Sequence, residues 1–289
     1  MDFSICILTL NARDYLKGCL ESIRQFPPHL NYEILIADNA STDGTLEMLE
    51  REYPEIKVTK MNRNVGFTKP NNLLLAQAQG DYLLVLNPDT LLVEDTFTPQ
   101  VQYLREHPEV GISIPKVLNA DGSFQAQSRR GDATPAAVFG YFLGLGKLFP
   151  KSKRLNQYLM SWLPEDEINE VDAVSGSCMF ITRACYEKTG GFDEELFAYQ
   201  EDSDLCIRAR QDGFKVCYVP ITRIIHYGGE GGSKTQKVNT IVQWHRSYAY
   251  FYHKHFAKRY FFLFNWFYYG VMLVRLALAL LLNLFKSNS

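Results

Sequence analysis

The chain has 289 residues, 46% of them hydrophobic and 21% charged, a globular composition long enough for one large domain or two small ones. A formal net charge of -2 argues against a general nucleic-acid binder, which carries a basic excess. The six cysteines form no C-x-x-C pair, so neither a zinc site nor a thioredoxin-like dithiol is indicated, and Cys6, Cys178 and Cys206, in apolar or periodic segments, are expected as buried thiols in a reducing cytoplasm.

In chain order, Phe3 to Leu8 reads as a short apolar strand entered almost at once, with no basic leader or cleavage site ahead of it, so no signal peptide is expected. A helix follows from about Ala12 to Gln25, a strand over Tyr32 to Ala37, and a helix over Asp43 to Tyr53 with Ser41, Thr42 or Asp43 as N-cap. Ile56 to Lys60 is a third strand, Pro70 suits the first turn of a helix reaching about Gln79, and Tyr82 to Leu86 is a fourth strand. Such alternation predicts βαβ units and an α/β fold with a mostly parallel sheet.

After Gly111 to Pro115 the pattern changes. Asp121-Gly122 predicts a hairpin turn, and residues 131–169 read as an insertion, apolar from Ala136 to Phe149 and then basic at Lys147, Lys151, Lys153 and Arg154. Ala173 to Ile181 predicts a strand, Asp202 to Gln211 a helix ending at Gly213, and Lys215 to Val219 a last strand.

The tail from Phe261 to Phe285 is almost wholly apolar. A helix of that length reaches across a bilayer core of ~30 Å, but Arg275 in its middle would cost ~2.5–3.5 kcal/mol to insert. Asn265, Tyr268, Met272, Arg275, Ala279, Asn283 and Lys286 fall on one stripe. The stripe suits a helix lying in the membrane interface or packing that face on the protein, with a true span and a dimer interface as alternatives. His253, Lys254, His255, Lys258 and Arg259 just before it suit anionic headgroups.

The candidate chemistry sits at strand ends, where open α/β sheets bind ligands. Strand one ends in Leu8-Thr9-Leu10-Asn11, without the G-x-G-x-x-G of a dinucleotide site. Asp38, at the end of strand two, is placed to accept from the imide N–H of a pyrimidine, although Asp38 to Gly44 also reads as a plain polar turn. In the next loop Asn62 to Phe67, Gly66 allows close backbone approach, and Asn64 and Asn72 offer amides to a base or ribose. Asn87-Pro88-Asp89 puts a carboxylate just past strand four, suited to a cation on a diphosphate; an ordinary Pro-Asp turn is the structural alternative. Ser175, Gly176 and Ser177 leave room for an acceptor sugar, with tight strand packing as the alternative. Glu201 and Asp202 stand at a helix N-terminus, where carboxylates either cap or act as a general base. His226, before the Gly-rich segment Gly228 to Ser233, is a candidate metal ligand.

Taken in order, Ala37 to Gly44, Asn62 to Phe67 with Asn71-Asn72, Leu86 to Asp89, and Glu201 to Leu205 with Arg208 resemble the inverting glycosyltransferases of family 2, in their bacterial rhamnosyltransferase-like branch. The resemblance covers about Phe3 to Ser233. It implies a GT-A fold: a Rossmann-like, mixed but mostly parallel sheet flanked by helices, with the apolar helical tail appended. The domain would span 1–235, its nucleotide-binding half about 1–115 and its acceptor half about 116–235, and 236–289 would be a membrane-associating segment.

The implied roles are nucleotide binding by Thr9, Asn11, Asp38, Asn64, Gly66, Asn72 and Asn87, and Mn²⁺ or Mg²⁺ binding by Asp89 and His226. Asn87 stands where the family's D-x-D motif has its first carboxylate, so Asp89 is the motif's only strong metal ligand. Asp202 would be the catalytic base, with Glu201 the runner-up, and Ser233 and Lys234 would lie on the phosphate side. The implied reaction moves a sugar, L-rhamnose from dTDP-L-rhamnose first, from a nucleotide-diphosphate donor to a growing, lipid-linked bacterial glycan at the inner face of the cell membrane. UDP-linked galactofuranose, glucose, galactose or GlcNAc is the alternative donor. A non-catalytic sugar-nucleotide-binding scaffold is an alternative of another class. A nucleotidyltransferase is disfavoured because Leu8 to Arg13 lacks a Gly-rich basic loop. No nucleic-acid partner is expected, and homodimerisation is left open.

Overall fold

The structure, a computed structural model, describes residues 1–149, 152–153, 155–229 and 237–287. Ser233 and Lys234 lie outside these residues, as do Lys151 and Arg154.

The first four strands and three helices follow the sequence pattern. They are β1 (Phe3–Thr9), α1 (Arg13–Gln25), β2 (Tyr32–Asp38), α2 (Thr45–Glu52), β3 (Lys57–Lys60), α3 (Thr68–Gln77) and β4 (Tyr82–Leu86). Helix α1 buries Leu16, Cys19, Leu20 and Ile23, a three-and-four spacing that lays one face on the sheet. Strands β1 and β4 are buried almost along their length, as expected for strands covered on both faces.

Then come β5 (Thr90–Leu92), α4 (Phe97–Glu106), β6 (Val110–Leu118), β7 (Arg129–Arg130), α5 (Pro135–Phe142), α6 (Leu145–Leu148), β8 (Asn169–Glu170), β9 (Ala173–Val174) and β10 (Cys178–Thr182). The chain closes with α7 (Arg183–Thr189), α8 (Glu201–Gln211), β11 (Lys215–His226), α9 (Lys237–His255) and α10 (Phe262–Ser287). The main sheet runs β3-β2-β1-β4-β10-β6-β11-β5, with β8 also on β11. Strands β1 to β4 are mutually parallel, β11 is parallel to β6, and β10 is antiparallel to both β4 and β6. The mixed, mostly parallel α/β sheet is thus as expected.

Three readings need correcting. The stretch Ala173 to Ile181 is not one strand. It divides into β9, which pairs with β7 in a separate ribbon, and β10 in the main sheet. Ser175-Gly176-Ser177 turns between them, Ser175 Oγ accepting from the Ser177 amide at 3.1 Å. The last strand runs past Val219 to His226. Pro220 lacks an amide hydrogen and falls where the register with β6 shifts, between Tyr218 and Arg223, which hides the continuation from a periodicity reading. Helix α4 was not anticipated, although Phe97, Val101 and Leu104 are buried at helical spacing. Asp121-Gly122 does turn the chain back, with a single antiparallel bridge from Leu118 to Phe124 and Gly122 at φ 81°.

All six cysteines are buried free thiols. The expected stripe on α10 is the side that packs inward. Tyr268 stacks on Tyr252 at 3.8 Å, Asn265 Nδ2 donates to Ala257 O at 3.0 Å, and the Arg275 guanidinium lies 4.4 Å from the Trp244 ring centroid. The opposite face leaves Trp266 73% and Leu282 62% exposed.

Candidate active site

Parallel pairing brings the strand ends together. Thr9 lies beside Asp38 and Ile7 beside Leu86, so the residues just past β1, β2 and β4 share one edge. Strand β10 pairs Cys178 with Leu86, which delivers Ser175 to Ser177 to that edge. Strand β11 ends there too, His226 opposite Thr90. A cavity of about 350 Å³ opens at this edge and is lined by Asn64, Gly66, Asn87, Asp89, Ser175, Gly176, Ser177, Glu201 and Asp202, among others. Residues that lie far apart in sequence and were singled out separately therefore share one space.

The cation corner is built on Asp89, 2% exposed. His226 Nε2 stands 3.2 Å from Asp89 Oδ1. Gln125 Nε2 donates to Asn119 Oδ1 at 3.0 Å and to His226 O at 3.3 Å, so its Oε1 accepts from His226 Nδ1–H at 2.8 Å. That makes Nδ1 a donor and leaves Nε2 facing Asp89 and Asn87 Nδ2, the latter 3.2 Å away. A ring nitrogen facing a carboxylate oxygen calls for positive charge between them, a proton on Nε2 or a bound cation. A histidine fixed through its other nitrogen is also the usual arrangement of a metal-ligating histidine. Asp89 and His226 thus fit a divalent cation. Among the described residues no cluster of three or more His, Cys, Asp or Glu accompanies them, so the described residues offer two such ligands.

On the nucleotide side, Asn39 organises the loop. Its Oδ1 accepts from Val65 N at 2.9 Å, and its Nδ2 donates to Gly66 O at 3.0 Å and Asn64 Oδ1 at 2.9 Å. Gly66 has φ 92°, and a Cβ there would lie 2.3 Å from Phe197 O, so only glycine fits. Asp38 Oδ2 accepts from Ser41 N at 3.0 Å, whereas Asp38 Oδ1 and Thr9 Oγ1 are buried without a hydrogen-bond partner among the described residues. Buried polar atoms are seldom left this way, and two side by side fit atoms reserved for a ligand. Neither residue lines the cavity surface itself. Asn11, at φ 48°, accepts from Thr42 N at 2.7 Å through its side chain. Asn72 does not join the site: it spans Phe192 through both amide atoms, each at 2.8 Å, and so shapes the 192 loop.

The carboxylate corner opens helix α8. Tyr199 and Gln200 both have left-handed φ, 71° and 66°, a costly conformation for residues with a Cβ, and they aim Glu201 and Asp202 at the cavity. Asp202 Oδ1 accepts from Ser203 N at 2.6 Å, and Oδ2 from Arg130 Nη2 at 2.6 Å and Gly176 N at 3.3 Å. Glu201 keeps Oε2 without a hydrogen-bond partner among the described residues. Burial, and secondarily the neighbouring Asp202 charge, push its carboxyl up to about 8.

Arg130, Gln125 and Asn39 escape a reading of the sequence. Arg130 follows another arginine in a segment without clean period, and only the pairing of β7 with β9 brings it to α8. Helix α9 was expected as part of the tail, yet Asn239, Thr240 and Gln243 on it line the cavity.

Comparison with known proteins agrees with this geometry. The model of "Glycosyl transferase family 2" matches residues 4–166, and the chain belongs to that family. It is 29% identical over 206 residues to an N-acetylglucosaminyl-diphospho-decaprenol L-rhamnosyltransferase of Mycobacterium tuberculosis, covering 67% of this chain and 66% of that enzyme. The chain thus spans just under two thirds of that relative. It is 25% identical over 232 residues to the rhamnosyltransferase WbbL of Escherichia coli K12, covering 77% of this chain and 82% of WbbL. The crystal structure of GalNAc-T7 with UDP, GalNAc and Mn²⁺ superposes with a TM-score of 0.58 at 18% identity, covering 87% of this chain and 50% of that one. The fold is accordingly of the GT-A type.

Proposed function

We propose that the protein is an inverting glycosyltransferase that moves a sugar from a pyrimidine-nucleotide diphosphate donor to a hydroxyl of a lipid-linked bacterial glycan. The observation that carries this is the convergence of Asp89, backed by His226 at 3.2 Å, and the Glu201–Asp202 pair on one cavity at the sheet edge. Residues 1–115 would bind the nucleotide and 116–235 the acceptor. Asp38 Oδ1 would accept from the pyrimidine imide, with Thr9 and the Asn64–Gly66 loop beside the ribose. Asp89 and His226 would hold a divalent cation, Mn²⁺ suiting the mixed oxygen and nitrogen donors better than Mg²⁺. When bound, it supplies neutralisation of the charge developing on the leaving diphosphate.

Asp202 removes the proton of the acceptor hydroxyl. The acceptor oxygen bonds to the anomeric carbon as the bond to the diphosphate breaks, the leaving group departs with the electron pair, and the configuration inverts. Ser175, Gly176 and Ser177 would seat the acceptor. The names of two relatives favour L-rhamnose from dTDP-L-rhamnose; a UDP-sugar is the second reading, on the strength of the UDP in the structural neighbour. Helix α10 would lie in the cytoplasmic membrane interface with its stripe on α9 and its exposed apolar face in lipid.

The test is a panel of dTDP-, UDP- and GDP-sugars with and without chelator, following binding and nucleoside diphosphate release. A pyrimidine donor should bind, and its turnover should fall with chelator. Binding of GDP-sugars alone would remove the role of Asp38, and indifference to chelator would remove the role of Asp89 and His226.

A further inference from the structure

Arg129 and Arg130 form β7, and strand alternation sends them to opposite sides. Arg129 turns to the carbonyls of Leu163 and Pro164, at 2.5 and 2.6 Å, and to the Tyr218 ring. Arg130 turns to the cavity wall, its side chain 11% exposed, and pairs with Asp202 Oδ2 at 2.6 Å. It is held there by the turn just before β7 and by α8. Nη1 donates to Gln127 O at 3.1 Å and Nη2 also reaches Ser203 Oγ at 3.3 Å. The partner strand β9 pairs Ala173 with Arg130 and leads into Gly176, whose amide donates to the same Asp202 oxygen. One short ribbon therefore grips Asp202 from two sides.

The carboxylate next to it is treated differently. Glu201 is 92% buried by its 8% exposure, and its Oε2 has no hydrogen-bond partner among the described residues. Two adjacent buried carboxylates are costly to ionise together, and one proton between them relieves the repulsion. The other groups facing the pair do not decide where it sits. Asp204, also on α8, is engaged by Arg208, Lys254 and His255. Tyr158 of the insertion and Tyr248 of α9 lie near Arg130, and Tyr199 lies near Glu201. The guanidinium on Asp202 is the asymmetric element.

We propose that Arg130 is a positioning residue that leaves the shared proton on Glu201 and holds Asp202 as the proton acceptor for sugar transfer. Separating the protonation of two neighbouring carboxyl groups is how such pairs are given an acid and a base role. The upward displacement of Glu201 agrees with this assignment. The inference rests on Asp202 being the base.

The experiment follows the pH dependence of nucleoside diphosphate release from dTDP-L-rhamnose, or from whichever donor of the panel is turned over, with nucleoside diphosphate binding as the check on folding. Arg130→Gln should lower the rate at pH 7 by about tenfold or more and move the acid limb up by about one pH unit. Arg130→Lys, which keeps the charge, should hold the limb within about half a unit of wild type. Adding Glu201→Gln to Arg130→Gln removes the competitor for the proton and should raise the rate again, an effect no merely structural role of Arg130 produces. An unmoved limb in Arg130→Gln, or equal movement in the Lys and Gln variants, overturns the proposal. If Arg130→Gln does not fold, the limb of Arg130→Lys decides alone: near wild type supports the proposal, and a shift of a unit overturns it. An Asp202→Asn enzyme as active as wild type would instead defeat the reading of Asp202 as base.

Discussion

Glu201 and Asp202 are neighbours in sequence with the same chemistry, yet the fold gives them different surroundings. Glu201 has a folded value of about 8 against an ordinary 4.5. A carboxyl displaced upward stabilises the fold fully below the ordinary value and loses that contribution as pH rises through the displaced one. Glu201→Gln cannot ionise. It should therefore leave the melting temperature unchanged near pH 4 and raise it progressively between pH 4.5 and 8, as differential scanning fluorimetry across that range would show; an equal effect at both ends would contradict the burial argument. Much at this scale is legible in the chain itself. Asp89, Asp202, Asn64 and Gly66 announce themselves by standing at predicted strand and helix ends. Asn72 misleads, because an amide suited to a ribose is equally suited to bracket a loop backbone. Arg130 is invisible because its partner is 72 residues away in a different element, with no periodic pattern to link them.

Helices α8 and α9 are joined by a buried charge cluster. Asp204, fully buried, pairs with Arg208 Nε at 2.8 Å, Lys254 Nζ at 2.6 Å and His255 Nε2 at 2.7 Å. Burial opposes ionisation of its carboxyl, but the His255 hydrogen bond and the Arg208 and Lys254 charges outweigh it and hold it down at about 2. A depressed carboxyl contributes stability above its ordinary value of 3.8, and the contribution is lost as pH falls from there to about 2. Asp204→Asn leaves the cations opposite an uncharged amide, which for a buried pair costs about 3–5 kcal/mol. Urea unfolding at pH 7 should show that loss, and the difference from wild type should close towards pH 2. The element boundaries show what periodicity can carry. Strands β1, β2 and β4 are found because continuous apolar runs mark them. The break between β9 and β10 is missed because Ser175-Gly176-Ser177 is short and its neighbours are apolar on both sides. Strand β11 is cut short in the sequence reading by Pro220.

For the whole molecule, Lys254 and His255 of the basic lead-in are taken up by Asp204, so the exposed Lys258 and Arg259 together with the striped helix predict a surface that rests on lipid. Helix α10 offers one face to α9 and the other to its surroundings, with Phe267, Leu273 and Leu282 each more than half exposed. Deleting Tyr260 to Ser289 and fractionating cells should shift the protein from membrane to soluble fraction; unchanged membrane association would exclude the helix as anchor. The GT-A architecture was legible from the order of four weak motifs, since each sits where a parallel strand delivers it to the same edge. The part played by α9 in the cavity was not, because Asn239, Thr240 and Gln243 lie on a helix whose other residues read only as a tail. Transfer of labelled sugar from dTDP-L-rhamnose into the lipid-extractable glycan of bacterial membranes, by wild type and Asp202→Asn in parallel, tests the central claim most directly. The wild-type protein should transfer, and the variant should bind nucleotide unchanged while losing about a hundredfold or more of the rate; equal transfer by the two would contradict the account.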